Sequence, residues 1–246
     1  MEAGEADAPV ALVTGAAKRV GRAIALELAA AGYDLVVHHR SSPADAAAVV
    51  TAIQALGRRA IAVAADLTKR GDIATLFDSA WAEFGRLDVL VNSAAVFRRT
   101  PPQALTEADF DFHVGTNLKA PYLCSIRAAA IMRETGAGVI VNIADVAAER
   151  PMRSYVPYCV SKAGVVMLTR ALAKAFAPEI RVNAVAPGTV LFRDDEDEDM
   201  RAKIVAQIPR GRIGTPEDIA RAVRYLCAAE HVTGAVLPVD GGRSLC

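Results

Sequence analysis

The chain has 246 residues, 53% hydrophobic and 5% aromatic, and its 28 Lys and Arg balance 28 Asp and Glu to a formal net charge of zero. That balance argues against nucleic acid or an anionic membrane as partner, since both draw on a basic surface that releases counterions; a small-molecule substrate fits better. No apolar stretch approaches the ~18 residues of a membrane span, and the acidic, polar start lacks a signal-peptide pattern, so a cytoplasmic protein with no membrane association is expected.

Short apolar runs rich in β-branched residues alternate with Ala- and Leu-rich segments of helical period, the pattern of a parallel sheet with crossover helices. Strands are predicted at 10–13, 35–38, 60–65, 89–92, 138–143, 181–186 and 235–239, and the clearest helices at 21–31, 44–56, 72–84, 158–177 and 216–228. Near-continuous apolarity in the strands implies burial on both faces. With no linker or internal repeat, one domain over 1–246 is expected, α/β sheets commonly exceeding the ~150-residue prior; residues 1–8 are expected to be disordered.

The first strand runs into Thr14-Gly15-Ala16-Ala17-Lys18-Arg19-Val20-Gly21 and then a helix. A strand, a turn with Gly15 and Gly21, and a helix N-terminus form a setting in which backbone amides hold a pyrophosphate. The second strand should end at the residue that reads the adenosine ribose, and there the chain has His38-His39-Arg40-Ser41-Ser42 with no carboxylate; Asp34 stands at the strand's other end. An acid would grip a free 2′-hydroxyl, whereas His38, Arg40 and Ser41, with Lys18 and Arg19 in the turn, suit a 2′-phosphate, so NADPH is the expected cofactor.

Tyr158 and Lys162 project from one face at the start of the 158–177 helix. A phenol works as an acid or base at neutral pH only if its acidity is raised, which a nearby ammonium does by favouring phenolate. The acidic run from Asp194 to Asp199 is expected to be a solvated, mobile loop tip, because like charges repel. Cys124, Cys159, Cys227 and Cys246 stand far apart, without the spacing of a zinc site or a disulfide framework, so no metal is expected.

Thr14-Gly15 with Gly21, Asp66-Leu67, Asn92-Ser93-Ala94-Ala95, Asn117, Tyr158 with Lys162, Pro187-Gly188 and Val239-Asp240-Gly241-Gly242 together resemble the short-chain dehydrogenase/reductases over essentially the whole chain. The resemblance implies a single Rossmann-like doubly wound sheet of about seven parallel strands with helices on both faces, and a homotetramer built from the helices carrying Asn117 and Tyr158. It implies that Asp66 and Leu67 flank the adenine, that Asn92 and Ala94 line the cofactor channel, and that Pro187 and Gly188 complete the cofactor set. Lys162 would also hold the nicotinamide ribose, and Asn117 a proton-relay water.

Two departures point to a branch. Arg19 replaces a turn glycine, and Asp145 replaces the catalytic serine expected thirteen residues before Tyr158. Both resemble the pteridine reductases, as does Phe97 at the position of a phenylalanine that stacks on the pterin, although Ala95 and Val96 replace two serines of that branch. The segment 144–150 and Leu191-Phe192 are similar to bacterial dihydromonapterin/dihydrofolate reductases. The expectation is NADPH-dependent reduction of a pterin or dihydropterin, with Phe97, Asp145 and Tyr158 on the substrate. An ionised Asp145 would repel the alkoxide of a reduced ketone, whereas a carboxylic acid there can protonate a ring nitrogen. The alternatives are a 3-oxoacyl-type carbonyl reductase and a catalytically silent NADPH-binding protein.

Overall fold

A computed structural model describes residues 8–193 and 195–246. Seven strands, β1 (Val10–Val13), β2 (Asp34–His39), β3 (Ala60–Ala64), β4 (Val89–Asn92), β5 (Gly138–Ile143), β6 (Ile180–Pro187) and β7 (Val236–Val239), pair in parallel in the order β3-β2-β1-β4-β5-β6-β7. The order reverses direction at β1 and β4, which opens a crevice beyond their carboxyl ends.

Alternate residues of β1 enter opposite layers. Ala11 and Val13 pack with Ile24 and Leu28 of α1 (Arg19–Ala30), Val49 and Ile53 of α2 (Pro43–Ala55), and Ile219 and Val223 of a C-terminal helix. Val10 and Leu12 pack with Leu76 and Phe77 of α3 (Arg70–Phe84) and with Met132 on the other face. The chain then forms α4 (Glu107–Val114), a π-helical turn at Gly115–Lys119, α5 (Ala120–Thr135), α6 (Val156–Phe176), α7 (Glu198–Ala206) and α8 (Pro216–Ala228). α8 matches its predicted bounds because its start is written locally: Thr215 and Asp218 form a capping box and Pro216 occupies the first turn. α6 begins two residues before the predicted Tyr158, since Pro157 needs no amide partner in a first turn.

The residues 1–8 expected to be disordered fall outside the described residues except Ala8. Asp194 also lies outside; Asp195, 68% exposed, and Glu196 stay in the loop, but the rest of the run is not a loop tip. Asp197 caps α7 by accepting from Met200 N at 2.8 Å, and Glu198 and Asp199 sit in its first turn. Carboxylates complement the free amides and partial positive charge there, which outweighs their mutual repulsion.

Candidate active site

The crevice beyond β1 and β4 has a volume of about 400 Å³ and is lined by Gly15, Lys18, Arg19, Gly21, His38, Arg40, Ser41, Asp66, Leu67 and Ala94 among others. Gly15 has φ +67°, and a Cβ on Gly21 would lie 2.2 Å from the Gly15 carbonyl oxygen, so the turn closes only with glycine at both places. α1 has no acidic residue in its first turn and no side-chain cap, which leaves N-terminal amides for an anion. Thr14 Oγ1 accepts from the amides of Ser93 and Ala94 at 2.9 and 3.0 Å, tying this turn to the end of β4.

Arg19, where a turn glycine was expected, takes φ +51°, the left-handed region that disfavours side chains. Lys18 is not a free cation: its Nζ lies 3.0 Å from Asp45 Oδ2, in a pair open to solvent. The expected role of His38 as a cation for the cofactor needs correction. Its Nδ1 accepts from Gly15 N and its Nε2 faces the Ala65 carbonyl, both at 3.0 Å, and burial lowers its pKa to about 4 despite the Ala65 bond. His38 is therefore a neutral clamp between β2, β3 and the turn.

Protonating His38 favours the unfolded chain, whose imidazole titrates near 6.5. Its contribution is fully present above about pH 6.5 and is lost as pH falls toward 4, a difference of about 3 kcal/mol. Urea midpoints at pH 7.5 and 4.5 should fall further apart in the wild type than in His38→Gln. An equal drop in both would remove His38 from the linkage.

Asn92 also departs from expectation. Its Nδ2 donates to Asn142 Oδ1 at 2.8 Å and Ser125 Oγ at 3.2 Å, and Asn142 Nδ2 in turn donates to Thr169 Oγ1 at 2.9 Å. Asn92 thus belongs to a buried polar chain joining β4, β5, α5 and α6, while Ala94 lines the crevice. Pro187 pairs with Val239 at the end of β6, and a Cβ on Gly188 would come within 2.8 Å of Asp240. Their observed contacts tie β6 to the C-terminal segment. Asp66 Oδ1 accepts from Thr68 N and Oγ1 at 3.1 and 2.7 Å, which lowers its pKa and braces one wall of the crevice.

The predicted catalytic residues converge beyond Val96. Asn117 Oδ1 accepts from Val96 N at 2.8 Å, and its Nδ2 donates to Val96 O at 3.0 Å and to Ser161 Oγ of α6 at 3.1 Å. Both amide hydrogens are used, so the Asn117 side chain pins the loop after β4 to α6 and has no donor left for a relay water. The wide π turn rotates Asn117 inward to make these contacts.

Tyr158 Oη donates to Asp145 Oδ2 at 2.6 Å, and Asp145 Oδ1 accepts from Ala147 N at 2.7 Å. Lys162 Nζ donates to the Ile143 carbonyl at 2.7 Å and lies 5.7 Å from the Tyr158 ring centre. Burial raises the Asp145 pKa, opposed by the Tyr158 and Ala147 hydrogen bonds and by the charges of Lys162 and Arg243. Burial lowers Lys162 to about 8, opposed by Asp145. The phenol is not acidified as expected: burial, and then Asp145, push Tyr158 well above its ordinary value. In this arrangement the ammonium acts on Asp145, and Tyr158 holds its proton.

Phe97 lies beside this pair, edge-on to Tyr158 with ring centres 4.7 Å apart, but one of its faces is already covered by Tyr155 at 4.5 Å, nearly parallel. The sequence reading missed Tyr155, which stands at the N-cap position of α6; its signal is an aromatic three residues before Tyr158. Arg193 in turn places its guanidinium carbon 5.8 Å from the Tyr155 ring centre. Arg243, in the last turn of the chain, bonds Thr189 Oγ1 in the loop after β6, and its carbonyl accepts from Arg150 Nη1 at 2.7 Å.

Residues 15–244 match a family described as enoyl-(acyl carrier protein) reductase. A 3-oxoacyl-(acyl-carrier-protein) reductase of Synechocystis sp. is 38% identical over 240 residues, covering 96% of each chain. One from Staphylococcus aureus is 35% identical over 237 residues, covering 94% of this chain and 96% of that protein. A solved structure from Sinorhizobium meliloti, described as a short-chain alcohol dehydrogenase, superposes with a TM-score of 0.91 at 36% identity, covering 96% of each. None of the three is described as a pteridine reductase, so the branch expected from Arg19, Asp145 and Phe97 gains no support from them.

Proposed function

Because the chain belongs to the short-chain dehydrogenase/reductase family and is thereby an NAD(P)-dependent oxidoreductase, we propose that it uses NADPH to reduce the ketone of a 3-oxoacyl thioester. The observation that carries this reading is the 35–38% identity, over nearly the whole chain, to 3-oxoacyl-(acyl-carrier-protein) reductases, and the buried Tyr158–Asp145 pair is compatible with it. Burial holds Asp145 toward its neutral form, and a neutral carboxyl donates to a carbonyl oxygen as a serine would. The repulsion expected between Asp145 and an alkoxide applies only to the ionised acid.

Gly15, Gly21 and the α1 amides would hold the pyrophosphate, with Arg19, Arg40 and Ser41 toward the 2′-phosphate. The bound dinucleotide supplies the hydride. Tyr158 delivers its proton to the carbonyl oxygen, Asp145 donates a second hydrogen bond to the same atom, and Lys162 fixes the floor of the site through Ile143. We also keep the expected homotetramer as a proposal, supported by exposed Tyr122 and Ile126 on α5 and Val160 and Met167 on α6.

A second reading, reduction of a dihydropterin, is favoured by the carboxyl of Asp145 and by Phe97 beside Tyr158. NADPH oxidation with acetoacetyl thioesters, dihydrobiopterin, dihydromonapterin and dihydrofolate separates the two. Turnover of a thioester at least tenfold faster than any pterin, roughly the discrimination of one good polar contact, is the expected result, and the reverse order installs the pterin reading.

The 2′-phosphate assignment has its own test. Arg40→Ala should weaken NADPH binding by roughly 1.5–3 kcal/mol with little change for NADH. Arg19→Gly should also weaken NADPH yet raise folding stability by about 1 kcal/mol, because it removes a side chain from a left-handed backbone position. Titration and thermal unfolding read the two effects separately; a destabilised Arg19→Gly would overturn the strain argument.

A further inference from the structure

We propose that Arg193 recognises an anionic group on the tail of the substrate, and that Asp195 and Glu196 hold the guanidinium in reserve until that group displaces them. The proposal rests on the reading that Tyr158 and the adjoining crevice form the reductase site.

Arg193 lies in the loop after β6, two residues beyond Leu191, which lines the cofactor crevice. Its guanidinium sits over Tyr155, Tyr155 stacks on Phe97, and Phe97 meets the edge of Tyr158. Three successive ring contacts therefore lead from the cation to the proton donor. At that remove the cation does not touch the reacting carbon, and a substrate extending from Tyr158 along these rings would end beside it. A planar guanidinium on an aromatic ring keeps its edge donors free for a carboxylate or phosphate.

The cation's present partners are close but poorly aligned. Nε lies 3.0 Å from Asp195 Oδ1 and 3.3 Å from Glu196 Oε1, yet among the described residues this buried nitrogen has no acceptor with hydrogen-bonding geometry. Glu196 instead uses its other oxygen to accept from the Arg193 backbone amide at 2.9 Å. Charge and the Tyr155 ring hold the guanidinium, in a pair whose Asp195 partner is 68% exposed, so a well-aligned anion gains the directed bonds that the carboxylates do not make. The same carboxylates repel an anion while they face it, so recognition requires Arg193 to swing from them to the substrate.

Two substrate pairs of matched chemistry test this: acetoacetyl-coenzyme A against the neutral acetoacetyl-N-acetylcysteamine, and dihydrofolate against the neutral dihydrobiopterin. The first places the charge on phosphates, the second on a carboxylate tail. The wild type should favour the anionic member by about tenfold or more in kcat/KM in the pair it turns over, mainly through KM. Arg193→Gln should bring that ratio close to one, Arg193→Lys should restore part of it, and Asp195→Asn should increase it. No preference in the wild type, or a preference that survives Arg193→Gln, overturns the proposal. So does a parallel loss of NADPH affinity in Arg193→Gln, which would assign the arginine to the cofactor.

If only the pterin pair is turned over, the thioester reading fails while the charge ratio within that pair still decides this one. If neither pair is turned over, dissociation constants of all four compounds, measured on protein saturated with NADP⁺, decide it, and equal or undetectable binding within both pairs overturns it.

Discussion

Tyr158→Phe should lower kcat by about 10²- to 10⁴-fold while leaving NADPH affinity nearly unchanged. The substitution keeps the ring that packs against Phe97 and removes only the hydroxyl that donates to Asp145 at 2.6 Å. That hydrogen bond lowers the Asp145 pKa, so its loss should raise it further and leave the carboxyl more fully protonated. Single-turnover rates with saturating NADPH measure the first effect, and the carboxyl stretching band in infrared difference spectra measures the second. A variant with near-normal turnover would show that another group provides the proton.

The second large effect belongs to Asp145. If its neutral carboxyl donates to the developing alkoxide, Asp145→Ala should cost about 10²- to 10³-fold in kcat on a 3-oxoacyl thioester, the usual loss for one such donor. Asp145→Ser should recover most of the rate. The sign of the pH dependence follows from protonation. The raised pKa keeps the acid neutral to higher pH than an ordinary carboxyl, and the rate falls as pH rises through it. Asp145→Ser should abolish that limb and leave the one set by Lys162, shifted below its wild-type value of about 8 because the carboxylate that raises it is gone. Rate profiles from pH 5 to 9 for the wild type and Asp145→Ser test this, and an unaltered limb in the serine variant would contradict it. On a dihydropterin the serine variant should instead lose activity, because ring-nitrogen protonation needs the acid.

The strands were legible because each is built on a short run dominated by apolar residues between polar turns, a pattern that local composition carries even where Asn142, Arg181 or Asn183 interrupts it. α8 was legible to the residue because its capping box, proline and apolar stripe are all written locally. The crevice was legible too: Gly15, Gly21, Arg40 and Asp66 meet there. Failures came where a side chain's role depends on which backbone groups reach it. His38 looks like a surface cation in sequence, but strand pairing buries it between two backbone partners. Asn92 looks like a cofactor contact, but the register that sets it opposite Asn142 turns its amide into a buried chain. The direction of the Tyr158 shift comes first from burial of the phenol and then from Asp145, whose Oδ2 lies 2.6 Å from the hydroxyl, and residue spacing supplies neither.

The last turn of the chain carries a practical consequence for anyone handling the protein. Arg243 grips Thr189 in the loop after β6, and its positive charge is one of those that lower the Asp145 pKa. Leu245 is 86% exposed, so the polypeptide can be extended past Cys246 without a clash at that side chain. A purification handle fused there that displaced Arg243 would remove one of the charges that lower the Asp145 pKa, and an enzymologist comparing tagged preparations should see the Asp145 limb shifted to higher pH in the C-terminal fusion. Removing the final four residues would remove the same charge. The tail is short enough to look dispensable, yet it is wired to the chemistry.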